Sequence, residues 1–528
     1  MTDMSKSLVF MALACLIGGA PAGALALRET DPGALSILKA EYPKKHRASV
    51  DHSKFQALNK KFAGPKQVTA ACLSCHNKAQ DEVMHTSHWT WDRGEYMPGR
   101  GVVYFGKRNA INNFCISTPG NEKSCAKCHA GNGRNPDGSI PKDPDAVDCL
   151  VCHDNSETYA KGSDMGGAPD PKADLGAAAR SVGLPKRANC GVCHFFGGGG
   201  NNVKHGDLEK AQFEPSREVD VHMAQNGANM QCVDCHLTKN HEISGKMYSL
   251  SSMDRNRVAC ERCHTASPHK DRVINEHTAK VACQSCHIPV YAKANSTKVF
   301  WDWSTAGKLK DGKPYSEEDE KGNHTYLSIK GSFKWGDHLK PEYAWSNGTA
   351  SHYLSGDKVE DTSNPLVLNP LYGSYSDDNA KIIPVKVHRA NQPFDPVNRT
   401  LIQPKLYADR KGEGGFWKDF DWQTASRLGM KKVGLPFSGK ITFIRTDMNW
   451  PLNHMVAPKE ETLTCSECHE REGGRLAGLN GFYMPGRDRS KALDILGKLL
   501  LIVTLLGVLL HGAGRIISRG AYKGGEKK

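Results

Sequence analysis

The stretch CLSCH at Cys72–His76 is the first of eight copies of Cys-x-x-Cys-His in this 528-residue chain. The others read CAKCH at Cys125–His129, CLVCH at Cys149–His153, CGVCH at Cys190–His194 and CVDCH at Cys232–His236. CERCH follows at Cys260–His264, CQSCH at Cys283–His287 and CSECH at Cys465–His469. Wound through one helical turn, the two cysteines of such a pentapeptide face one side and the histidine lies beside them. Two thiols then reach the two vinyl groups of one porphyrin, and the imidazole sits over its centre as proximal iron ligand. Each copy thus has the spacing to attach one c-type haem. The first four attachment pairs are Cys72 with Cys75, Cys125 with Cys128, Cys149 with Cys152 and Cys190 with Cys193. The other four are Cys232 with Cys235, Cys260 with Cys263, Cys283 with Cys286 and Cys465 with Cys468. Zinc ribbons do not require a histidine after every second cysteine. Disulfide staples suit an exported chain but give no reason for eight identical histidine placements. The chain reads as an octahaem cytochrome c, with eight covalently bound haem c groups and their iron.

A chain of this length has room for two or three ordinary domains. Only 38% of it is apolar, a thin supply for a core that porphyrins would complete. The expected fold class is a multihaem cytochrome c. Mainly short α-helices and loops pack around eight haems, with little sheet in the first half, a loop-rich mixed segment and a C-terminal transmembrane helix. The formal charge of +13 does not call for nucleic acid. Two propionates per haem, less one ferric charge, bring the holo-protein to roughly +5.

Both ends carry apolar runs. Lys6 precedes Leu8–Ala20, and Ala24-Leu25-Ala26 offers a small-x-small cleavage site, so residues 1–26 read as a signal peptide. Cys15 lies in that run; a lipoprotein reading of it has only a very short apolar stretch behind it. Export agrees with haem attachment outside the cytoplasm. Near the other end, Leu499–Leu510 lies inside an apolar stretch from Ile495 to Ile517. Sixteen residues separate Lys498 from Arg515, both able to snorkel, which suits a membrane anchor, with a docking helix as the alternative. The expected location is periplasmic, on the cytoplasmic membrane, with the basic tail inside.

Seven motifs crowd between Cys72 and His287, and the eighth waits until Cys465. The expected organisation is a signal peptide at 1–26, a haem-packed domain at 27–287 and an aromatic-rich cap without attachment sites at 288–464. The eighth motif and its return to the core follow at 465–490, then the anchor at 491–517 and the tail at 518–528. The cap holds seven of the nine tryptophans, and its prolines and glycines argue against long helices.

Each iron needs a sixth ligand or keeps an open position. Of 23 histidines, eight are spent in motifs, leaving 15. The leading distal candidates are His52, His88, His222, His241, His269, His277 and His454, with His85, His205, His352 and His388 in reserve. Seven distal histidines would leave one haem distinguished.

Several stretches together resemble the octahaem tetrathionate reductase family. They are Asp51-His52-Ser53-Lys54-Phe55, Ala71 to Trp91, Asn112-Asn113-Phe114-Cys115 and Val203-Lys204-His205-Gly206-Asp207. Asp220-Val221-His222-Met223, Cys286-His287-Ile288-Pro289 and Tyr483-Met484-Pro485-Gly486-Arg487 continue the likeness across residues 50 to about 488. The resemblance implies that the second haem, on Cys125, Cys128 and His129, takes a lysine amine, Lys204, as distal ligand. It also implies that Asn112 and the free Cys115 lie beside it. Cys115 is the one cysteine outside the motifs after residue 26. Its thiolate would suit sulfur–sulfur exchange. The plainer alternative for Lys204 is a surface lysine, and for Cys115 a small buried hydrophobe.

The expected function is a reductase. Electrons from a quinol-oxidising membrane cytochrome or other donor would cross bis-histidine haems to the lysine-ligated one, where tetrathionate, nitrite or hydroxylamine is reduced. The rivals are a non-catalytic eight-haem conduit and an oxidase of hydroxylamine or hydrazine, whose class cross-links a tyrosine to haem. The octahaem nitrite reductase class uses a Cys-x-x-Cys-Lys motif, which this chain lacks.

Overall fold

The computed structural model of the chain describes residues 50–524 apart from 98, 115, 136 and 246–256. The export segment, Cys115 and the last four residues of the basic tail lie outside the described residues. Short turns carry the motifs. At five of them the histidine amide bonds back to the first cysteine's carbonyl, four residues earlier. His76 reaches Cys72 at 2.9 Å, His153 reaches Cys149 at 3.1 Å, and His236, His264 and His469 do the same at 2.9 Å. The fourth and seventh motifs lie in the helices Arg187–His194 and Cys283–His287.

The second motif is wound differently. Ala126–Cys128 is a 3₁₀ turn, and the His129 amide bonds Ala126, three residues back, at 2.9 Å. A 3₁₀ turn is tighter than an α-turn, and the backbone at His129 leaves it extended. The same pentapeptide spacing therefore aims its histidine in another direction.

Segment 288–464 departs from the loop-rich expectation. Strands between Thr297 and Pro451 form a nine-stranded sheet. At its centre runs the 15-residue strand Lys381–Asp395. It pairs antiparallel with Thr442–Pro451, from Val385 opposite Pro451 to Phe394 opposite Thr442, and parallel with Thr297–Asp302 on its other side. Ile382, Pro384, Lys386, His388, Ala390, Gln392 and Phe394 of this strand are all buried. Lys386, His388 and Gln392 break the apolar alternation by which a half-buried strand is recognised. The expectation of no long helix ahead of the C-terminus agrees with the structure: among the described residues the longest there is Trp422–Lys432. Trp301 and Trp303, each 1% exposed, stack at 4.7 Å in the sheet's core beside Trp450 and Phe333.

The sheet and the motif region are stitched together. Ser285, inside the seventh motif, donates to the Ile382 carbonyl at 2.7 Å. The return to the eighth motif is pinned by Leu463 N–H to the Cys286 carbonyl at 3.1 Å and Arg475 to the Pro289 carbonyl at 2.5 Å. The final helix spans Lys491–Gly524, so residues 518–524, expected as a separate tail, continue it. Its apolar stretch is not buried against the chain, unlike a docked helix.

Asn113, fully buried, joins the loop carrying Asn112 to the sheet. Its amide donates to the His388 carbonyl at 2.7 Å, and its Oδ1 accepts from Gln392 and Thr446 at 2.7 Å each. Asn113→Ala strands these buried groups, at a cost on the order of 3 kcal/mol. The urea midpoint followed by far-ultraviolet circular dichroism should fall clearly; an unchanged midpoint contradicts this role.

Candidate functional site

Seven histidines outside the motifs approach seven motif histidines at one spacing. Ring centres lie 6.3 Å apart for His52 and His76, 6.4 Å for His241 and His153, and 6.2 Å for His88 and His194. They lie 6.1 Å apart for His454 and His236, for His222 and His264, and for His277 and His469, and 6.0 Å for His269 and His287. With a metal–nitrogen distance of about 2 Å on each side and both ring radii added, imidazoles trans across one metal have centres roughly 6 Å apart. All seven leading distal candidates are thus brought to a motif, one each. The pairings join residues as distant in sequence as His236 and His454.

The rings are oriented by the nitrogen that faces away. Nδ1 of His153 bonds the Gly183 carbonyl at 2.8 Å, that of His236 the Ser244 carbonyl at 2.8 Å, and that of His469 the Pro485 carbonyl at 2.7 Å. On the opposite side, Nδ1 of His241 meets Glu82 at 2.7 Å, that of His277 the Val273 carbonyl at 2.7 Å, and that of His454 Asp207 at 3.1 Å. Each contact leaves Nε2 for a metal. Burial pushes the His194 pKa down to about 3 and lowers that of His88, keeping the ligating neutral form. Burial also disfavours charge on His454, but Asp207 outweighs it and holds that pKa above the ordinary value. A connected cavity of about 3790 Å³ takes in the histidines of motifs two to seven. A close-packed interior leaves few voids beyond the size of a water molecule. The residues present fit haem.

Neighbouring motifs bring cysteines close enough to shift one another's ionisation: Cys72 with Cys149, Cys128 with Cys193, Cys190 with Cys232, and Cys260 with Cys283. Cys235 feels Cys263, and Cys286 feels Cys468. These influences run from the eighth motif through seven, six, five and four, and from four to both two and three. Cys152 lines the large cavity. Among the described residues no cysteine is in a disulfide, and no three acidic, histidine or cysteine side chains converge as a metal cluster.

Cys75 is one of six exposed motif cysteines among the described residues, and its Sγ lies 3.9 Å from the Ser74 hydroxyl. The helix Pro65–Leu73 ends before it, so Cys75 sits in the turn beyond, tied back by its amide to the Cys72 carbonyl at 3.1 Å. Cys72, on the last turn of that helix, faces inward to Cys149, while Cys75 lies on the outer side of the first motif.

His129 is different. Its ring neighbours are Trp89 at 4.9 Å and Trp91 at 5.5 Å, and its Nε2 lies 2.8 Å from the Trp89 carbonyl. Its Nδ1 is buried with no partner. To ligate through Nε2 the ring must give up the Trp89 contact. Burial, with the Arg134 charge adding to it, pushes its pKa down to about 3. Lys204 lines the cavity, with its amine 4.7 Å from the centre of the Trp450 ring. Its charge acts on His205, His194 and Cys128 of the second motif. Asn112 accepts the Phe114 amide at 2.9 Å, and Phe114 lines the cavity. Cys115 lies outside the described residues.

The reserve histidines go elsewhere. His205 lies 5.0 Å from Trp450, His352 stacks on Phe105 at 4.4 Å and His388 packs on Phe114 at 4.2 Å. His85 bonds the Asp81 carbonyl.

Two lysines near this site escaped the sequence reading. Lys386, fully buried, donates to the carbonyls of Val203 at 2.8 Å and Lys204 at 3.1 Å, and to Thr297 at 2.7 Å. It fixes the backbone that presents Lys204. An inward lysine carries no signal until its strand is recognised. Lys107 lies 5.2 Å from the Trp91 ring centre, and its charge acts on Cys128, His129 and His88.

Comparisons agree with this geometry. Residues 298–472 match the model of bacterial cytochrome c, and residues 189–265 that of cytochrome c554 and c-prime. An uncharacterized protein of Archaeoglobus fulgidus is 25% identical over 249 residues, covering 37% of this chain and 80% of that one. The crystal structure of octaheme cytochrome c from Shewanella oneidensis is 43% identical, with a TM-score of 0.74. That match covers 80% of this chain and 94% of the other. Coverage and identity on that scale, over paired histidines and Cys-x-x-Cys-His attachment turns, make this chain a member of the octahaem cytochrome c family, carrying covalently bound haem c.

Proposed function

We propose that the protein is a membrane-anchored octahaem reductase whose second haem is the catalytic one. The observation that carries this reading is that seven motif histidines face a second histidine at one spacing, while the second motif faces none among the described residues. Two imidazoles saturate an iron and suit it to electron transfer; a weakly held sixth position admits substrate. Bound haem supplies single-electron transfer along the stack and reduction at its end.

The chain's own residues do the rest. The seven histidine pairs clamp their groups rigidly. Lys204, held through its backbone by Lys386, offers a neutral amine as a displaceable ligand or a proton from its ammonium. Asn112 orients the substrate by hydrogen bonds; with tetrathionate, the Cys115 thiolate would attack a sulfur–sulfur bond and expel one thiosulfate, and two electrons from the donor would return the mixed species to the thiolate and a second thiosulfate. The substrate is a small oxidised sulfur or nitrogen compound: tetrathionate, nitrite or hydroxylamine.

The helix Lys491–Gly524 supports the anchor. Its stretch Lys491–Arg519 is 29 residues long, about 43 Å against a hydrocarbon core of about 30 Å. Haem attachment requires the body on the periplasmic side, where a quinol-oxidising membrane cytochrome would supply electrons.

Lys204→Met removes both amine and proton while keeping the chain length. Reductase activity of the purified holo-protein should fall by about tenfold or more, with the haem content unchanged. Full activity in this variant would end the catalytic assignment.

A further inference from the structure

The eighth motif and the apolar helix are joined by a short connection with bonds at both ends. After His469 the chain loops out and folds back on the motif. Pro485 receives the His469 Nδ1 contact at 2.7 Å. Gly486, at φ +85, lies so close that a Cβ there would stand 2.0 Å from the His469 carbonyl oxygen. Only glycine tolerates both the left-handed backbone and that approach. The Arg487 guanidinium donates to the carbonyls of Leu476 at 3.0 Å, Leu479 at 2.5 Å and Phe482 at 2.8 Å, and pairs with Asp488 at 2.7 Å. Arg471, two residues beyond the motif, holds the Arg489 carbonyl. Arg489 in turn pairs at 2.7 Å with Asp494 in the helix's first turn, where Ser490 caps the Leu493 amide. No free linker intervenes, and the five steps along the chain from Gly486 to Lys491 span at most about 18 Å.

Resting on the anchor reading above, we infer that the face around the eighth motif lies on the bilayer surface, with the loop Gly473–Arg489 at headgroup level. A helix crossing the membrane brings with it whatever is bolted to its first turn. The loop offers a suitable side chain: Tyr483 is 68% exposed, and an amphipathic aromatic ring favours the membrane interface. The contact does not depend on anionic lipid, because Glu470 and Glu472 offset Arg471 and Lys491. The position of the eighth motif agrees. It lies outside the cavity that joins motifs two to seven. The eighth attachment site therefore faces donors carried in the membrane, at the opposite end of the cysteine contacts from the second motif.

The test is hydroxyl-radical footprinting of the full holo-protein in phosphatidylcholine liposomes. A second form carries a rigid helical insert of about twenty residues between Ser490 and Lys491, lifting the body about 30 Å. Tyr104, 65% exposed on a hairpin beside the second motif, is the internal reference. Tyr483 should be oxidised about threefold more slowly, relative to Tyr104, in the native chain than in the lifted form. Equal rates in the two forms overturn the inference while leaving the anchor in place. Failure of the native chain to float with liposomes overturns the anchor, and this inference with it, before any footprint is read.

Discussion

A metal held between two imidazoles fixes the distance between them, and that distance recurs seven times here. It is a stringent constraint because the partners come from remote parts of the chain. His454 must return from beyond the sheet to meet His236, and His277 must meet the eighth motif. Much of the remaining architecture serves this. Backbone carbonyls and carboxylates grip Nδ1 so that Nε2 points at its partner. The sheet supplies a stiff wall against which the loop carrying Lys204 and the strand end leading to His454 are set.

The eight attachment sites were legible because covalent attachment is a local demand, satisfied within five residues. Their surroundings were not: Cys152 of the third motif lines the large cavity, while neither cysteine of the first motif does. The seven candidate distal histidines could be ranked by neighbourhood, but the pairings could not be read. His88 follows the first motif closely yet meets the fourth motif's His194, and His241 follows the fifth yet meets the third motif's His153. Such crossings depend on how motifs stack, which no local pattern records. The sheet escaped notice for a related reason: the inward positions of its longest strand are spent on Lys386, His388 and Gln392, so periodicity failed where the interior was polar.

The second motif departs from its siblings in backbone and surroundings. CAKCH reads like them, but the His129 amide bonds three residues back instead of four, and its ring faces Trp89 and Trp91 instead of another histidine. Around it gather lysines: Lys107, Lys204 and, behind the Lys204 backbone, Lys386. Burial drives the Lys386 pKa well below the ordinary lysine value, with the Asp207 charge opposing that fall. Asp207 also holds His454, so the same short segment that presents Lys204 orients a distal histidine. The odd site and the ordinary ones share their supports.

The central claim is that one haem differs from the rest in its second axial ligand. Near-infrared magnetic circular dichroism of the oxidised holo-protein reads this directly, because the charge-transfer band of low-spin ferric haem shifts with its ligand pair. Seven haems' worth of intensity at the bis-imidazole position, with the remainder displaced to an imidazole–amine position, is the predicted result. Intensity for eight bis-imidazole haems, with nothing left over, would contradict it.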